Sequence, residues 1–235
     1  MQFRYSAAEK TDFAWEIPIP ITPFWDTWTY KKAYPVLTAI SVEELEPYDL
    51  DTKYGTATQD EKYAVMLDIL REKLHREETK GATPDEYYTT NYKSWSFVWL
   101  AISSMNLNLG QLNEAEAAHR ILVDRRQGPN IIVPLNNFSA FLIQNTTRFA
   151  EGKEMALQSV KWLDNRLGKA SLQSIGARKN IAMADWMKGN REEAEKMITE
   201  IFESVEELKA TKFSMYAEEE KENADIWVAE LRKSG

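Results

Sequence analysis

Two histidines, His75 and His119, are the only imidazoles in this chain of 235 residues, which has no cysteine. Acid–base chemistry would fall to those two rings and to the 37 aspartates and glutamates. His75 stands beside Arg76, Glu77 and Glu78 near the end of a helical pattern and reads as a solvated side chain. His119 falls among Ala115, Ala118 and Leu122, on what would be the inner face of a helix. A buried structural histidine is its plainer role, and a general base its chemical one, which needs a pocket and a partner. Most carboxylates lie on polar helix faces, as in Glu43-Glu44 and Glu192-Glu193. Asp185 differs, because it sits in 181-IAMADWMKG-189 against Trp186. His119 and Asp185 are therefore the two catalytic candidates, each with a bland alternative in core or surface structure. Two isolated histidines without cysteine predict no zinc site. No phosphate loop, dinucleotide fingerprint, nucleophile elbow or calcium loop occurs, so no cofactor is expected.

The elements that would position these groups are helical. Ser41 with Glu44, and Thr58 with Glu61, fit the capping box, in which the cap hydroxyl and the third helical side chain satisfy each other's backbone amides. Thr83-Pro84-Asp85-Glu86 adds proline at the first helical position and predicts one long helix to about Leu109. Gly110, Gln127-Gly128-Pro129 and Gly189 are breaks, and Asn190 with Glu193 predicts another capped start. The helix after it carries Ala194, Met197, Ile198, Ile201, Phe202, Val205 and Leu208, a clear amphipathic stripe. Ahead of all this lies 13-FAWEIPIPITPFWDTWTY-30, with three prolines in six residues and three tryptophans. It cannot be a regular helix and is too apolar to stay unburied. It predicts an extended arm over residues 1–40, packed on a single helical domain over 41–235. Trp25 and Trp28 would anchor it, or else Ile17, Ile19 and Ile21 would face inward as a lid.

A period of about 40 residues runs through the helical part. The stretch 99-WLAISSMNLNLGQLNEAEAAHRIL-122 aligns with 178-RKNIAMADWMKGNREEAEKMITEI-201, each with a glycine followed five residues later by an alanine: Gly110 and Ala115, Gly189 and Ala194. Between them, 140-AFLIQNTTRFAEGKEMALQSVKWL-163 matches chiefly at Ala156. A glycine permits the tight turn and a small residue lets the second helix approach the first. On these residues, with Trp99 and Leu112, the chain resembles the tetratricopeptide repeat (TPR) family. The small residue of the first helix falls at Ser103, Gln144 and Ala182, so the middle unit departs from the pattern, and the connections exceed the family's usual ones. The resemblance implies an all-α, TPR-like array of antiparallel hairpins, with units at about 96–128, 134–168 and 170–209. A polar capping helix at about 212–233 would close it.

The same resemblance implies a concave groove lined by the first helix of each unit. It would comprise Phe97, Leu100, Ser104 and Asn108; Phe138, Phe141, Asn145 and Arg148; and Lys179, Met183, Trp186 and Met187. Aromatic and sulfur-bearing walls with few polar anchors suit a protein or peptide partner, or a hydrophobic small molecule. Core packing is the alternative for each. Within the family, chaperone tails are held by a carboxylate clamp; the corresponding places here hold Leu100, Ser104, Leu142, Gly176 and Asn180, so no such clamp is expected. The net charge of −8 argues against nucleic acid. No run of 18 apolar residues predicts membrane insertion, and the N-terminus has no apolar signal core. A cytoplasmic binding or scaffold protein is the expectation. A cofactor-independent lyase or isomerase acting on a hydrophobic metabolite is the alternative.

Overall fold

The computed structural model describes residues 3–4, 17–83, 85–125 and 132–234. Phe13, Trp15, Pro84 and the Gln127-Gly128-Pro129 break lie outside them. The described residues are overwhelmingly helical, with twelve α-helices and one two-stranded pairing. None of these helices is long and apolar enough to cross a membrane. The chain divides into two compact units, Met1–Leu122 and Val123–Gly235, where an arm and a single repeat domain were expected.

In the first unit, β1 (Phe3–Arg4) pairs antiparallel with β2 (Ile19–Pro20), Arg4 opposite Ile19. Phe24, Trp25 and Trp28 follow and are buried in the unit's core. Phe24 meets Trp25 edge-on, Trp25 and Trp28 are tilted against each other, and Trp28 meets Tyr63 edge-on at 5.0 Å. Two polar contacts fix the segment's path: the Phe24 amide donates to Asp51 at 2.9 Å, and the buried Lys62 ammonium donates to the Pro23 carbonyl at 2.9 Å. The extended segment stops short of residue 40, because α1 (Tyr30–Ala39) is helical with Pro35 inside it. Pro35 reads as a breaker, but Ala33, Val36, Leu37 and Ala39 bury one face of the helix, and α1 packs on α6 (Tyr92–Asn108). That burial offsets the lost hydrogen bond. Of the three isoleucines, Ile19 is buried and Ile21 is exposed.

Capping chemistry sets the next boundaries. Ser41 and Thr58 form full capping boxes at α2 (Val42–Leu45) and α4 (Gln59–Lys80). The box expected at Thr83 does not form. The Glu86 carboxylate instead takes the Ala82 amide, and α5 (Glu86–Thr90) starts from Asp85. The long helix expected there is broken at Asn91, after Thr90 turns its hydroxyl onto the Glu86 carbonyl and competes with the helical ladder. Between α2 and α4 lie a short turn and α3 (Leu50–Tyr54). The unit ends in α7 (Leu112–Asp124).

The second unit holds α8 (Ile132–Asn145), α9 (Phe149–Leu167), α10 (Leu172–Met187), α11 (Arg191–Leu208) and α12 (Ala217–Lys233). Each helix packs on the next in sequence, and α10 also meets α8 and α12. Encirclement leaves α10 buried on nearly every side, including Arg178, Asn180 and Asp185.

Two turns recur in detail. Gly110 and Gly189, 79 positions apart (189 − 110), both take a left-handed backbone, φ 72° and 83°. After α6, Gly110 N–H donates to Leu107, Gln111 to Asn106 and Leu112 back to Gly110; after α10, Gly189 donates to Trp186, Asn190 to Asp185 and Arg191 to Gly189. Each is a Schellman closure, which satisfies the last carbonyls of the first helix and aims the next one back along it. Small residues mark the crossings. Ser103 Oγ donates to the Ala115 carbonyl at 3.1 Å, and Ala182 and Ala194 are fully buried. Between α8 and α9 the crossing is Ser139 on the Gly152 carbonyl, at 2.7 Å. It lies one turn before the Gln144 and Ala156 register read from sequence, and Gln144 is exposed.

Candidate functional site

Helix α6 exposes a stripe on the first unit. Phe97, Leu100, Ser104 and Asn108 recur at helical spacing on one face, and all four are half-buried. Phe97 and Leu100 rest on the core below, and the Lys93 ammonium stands 5.8 Å from the Phe97 ring. His119 lies elsewhere, inside α7 at 7% exposure. Burial pushes its imidazole down to about 4, against a small opposing pull from Glu116, so it is uncharged at neutral pH.

On the opposite side of α6 a cleft of about 350 Å³ opens among α4, α6 and α7. Leu74, Trp99, Ile102, Ala118 and Ile121 give it apolar walls; Arg71, His75, Glu78, Asn106, Glu114 and Ala117 complete the lining. Sequence reading missed it, since Trp99 and Asn106 pass for core positions in a helical stripe.

The groove residues expected in the second unit are mostly interior. Phe138 and Phe141 are 1% and 4% exposed, and Trp186 is 9% exposed beneath the Arg191 guanidinium, 3.8 Å from its ring. These three form core rather than an open face, because α8 and α10 each spend their apolar stripes on flanking helices. Lys179 pairs with Glu220 of α12 at 2.6 Å and lies over the Trp227 ring. Met183 packs half-buried into the same cluster. Asn145 turns its amide onto the Phe141 carbonyl, and Arg148 pairs with Glu151 one turn on. They stay half-buried but are locally engaged.

Asp185 is sealed at 1% exposure. Lys153 Nζ of α9 donates to both its oxygens at 2.7 Å, and Asn190 Nδ2 donates to Oδ1 at 3.2 Å. That last bond explains why Asn190 does not cap α11 as expected. Arg178 makes a fork to Asp164 of α9 and reaches Glu200 of α11. Three helices are thus tied to α10 by charge. Lys153, Asp164 and Glu220 were not singled out from sequence, since each lies in a polar run; the only signal was their spacing against core alanines and isoleucines. No family model, curated protein or solved structure matches the chain. Function must be read from these surfaces alone. Among the described residues no cluster of three or more acidic or histidine side chains is placed to hold a metal ion.

Proposed function

We propose that the protein is a TPR-like binding or scaffold protein that holds a peptide segment of a partner along the exposed face of α6. The matched turns at Gly110 and Gly189 carry this reading, with small-residue crossings at Ser103 on Ala115 and at Ala182 with Ala194. They support reading the two hairpins as one repeated unit, and repeated helical hairpins serve chiefly to present extended faces to other chains. Phe97 and Leu100 supply apolar anchors, Ser104 and Asn108 polar ones, and Lys93 a charge at one end. The enzymatic alternative has to start from His119 or Asp185. Both are committed to the interior, so binding is the stronger reading.

Peptide display against the full chain, followed by affinity measurement, tests it. Selected peptides should weaken about tenfold with Phe97→Ala, the loss of one well-packed aromatic contact, and similarly with Ser104→Arg, which blocks the face without touching the core. Failure to select any peptide, or selected peptides indifferent to both variants, would remove α6 as the docking face.

A further inference from the structure

The cleft among α4, α6 and α7 lies on the side of α6 away from the proposed peptide face, and its polar groups are incomplete. Asn106 is 1% exposed and lines the cleft. Its Nδ2 donates to the Ile102 carbonyl of its own helix at 3.0 Å, which fixes the amide orientation and turns Oδ1 away from that carbonyl. No donor among the described residues reaches that Oδ1. A buried acceptor left so carries a desolvation cost that a bound N–H would relieve. The Trp99 Nε1 in the same wall is also without an acceptor.

The charges around the cleft select the kind of donor. Glu78 and Glu114 face it from α4 and α7, and neither is ion-paired among the described residues. The one permanent cation of the lining, Arg71, is accompanied by Asp68 at 3.8 Å. His75 stands at the rim. The balance is negative above an apolar floor.

The second unit shows what fills the corresponding place. Asp185 holds the position before Gly189 that Asn106 holds before Gly110, each closing its turn through its own carbonyl. There the side-chain acceptor is occupied by the Lys153 ammonium and the Asn190 amide. In the first unit α4 offers Leu74 and Arg71 at the cleft, and Asn106 receives nothing.

We infer that this cleft is a binding site for an ammonium group on a short apolar stem. The ammonium donates to Asn106 Oδ1 between the Glu78 and Glu114 carboxylates, and the stem lies against Trp99 and Ile102. A hydroxyl or carbonyl on the stem would take the Trp99 indole N–H. The same chemistry is offered by a free amine or by the lysine of another polypeptide.

Titration of the 15N-labelled full chain, followed on its indole and side-chain amide signals, decides between these sources. The probes are phenethylamine, its neutral analogue 2-phenylethanol, and blocked lysine and norleucine amides. Phenethylamine should shift the Trp99 indole signal, assigned with Trp99→Phe, and bind about tenfold more tightly than the alcohol, as one desolvated ion pair would give. The double change Glu78→Gln with Glu114→Gln, at a half-buried and an exposed position, should abolish that preference and leave alcohol binding unchanged. Asn106→Asp, which copies Asp185, should strengthen amine binding. Lysine amide binding above phenethylamine identifies a polypeptide source, and the reverse a free amine. Equal binding of amine and alcohol, persistence of the preference in the double variant, or no shift with any probe overturns the inference.

Discussion

Replacing Lys153 with methionine should be the most damaging single change on the surface of the second unit. The Asp185 side chain is 2% exposed and that of Lys153 is 28% exposed, so the pair is asymmetric: the carboxylate is sealed while the ammonium edges toward water. Lys153→Met leaves a buried charge with one remaining donor, Asn190 at 3.2 Å. A broken buried pair of this kind costs about 3–5 kcal/mol. Asp185→Asn leaves only the partly hydrated ammonium without its anion and should cost about 1–2 kcal/mol. The double variant should be more stable than Lys153→Met alone, with a coupling of about 2 kcal/mol. Native-state hydrogen exchange of α9 and α10 amides is the suitable assay, since it reads the second unit's opening without requiring the whole chain to unfold in one step. If Lys153→Met costs under about 1 kcal/mol, or if the two changes add without coupling, the sealed-carboxylate account is wrong.

Three further outcomes follow from the structure. His119 has a folded value of about 4 against ~6.5 when unfolded, so its neutral form favours the fold; stability should be full above about pH 6.5 and fall by about 3 kcal/mol as pH drops toward 4, a slope that chemical denaturation at several pH values should find flattened in His119→Leu. Gly110→Ala and Gly189→Ala meet no atom within 4 Å, so each should cost only the left-handed backbone strain, about 1–2 kcal/mol, with helix content unchanged by circular dichroism. Gly152→Ala would place a carbon 2.6 Å from Ile143 Cγ1 and should destabilise by about 1–3 kcal/mol, relieved in thermal melts by adding Ile143→Ala.

The parts of the fold legible in sequence were those decided locally. The capping boxes at Ser41 and Thr58 and the glycine closures at Gly110 and Gly189 need only a few neighbouring residues, and each appears where those residues stand. Elements decided by distant packing were not legible. Helix α1 survives Pro35 because α6 takes its apolar face, and no local pattern announces that. The candidate site fared likewise. Periodicity marks Phe138, Phe141 and Trp186 as one-sided but cannot say whether that side meets solvent or another helix. Charged residues mislead in the opposite sense: Lys153, Asp164 and Glu220 look solvated by composition, yet each reaches a partner on α10.

Trp25 and Trp28 sit with ring centroids 4.9 Å apart and planes inclined at 50°, beside Phe24 and Tyr63. Two indoles this near and neither parallel nor perpendicular exchange excitation, and their transitions split into a pair of opposite-signed bands in circular dichroism. The protein thus carries a built-in optical signature of its N-terminal segment. That signature should vanish with Trp25→Leu or whenever the segment lifts from α4, and it will distort any helix content taken from the far-ultraviolet spectrum.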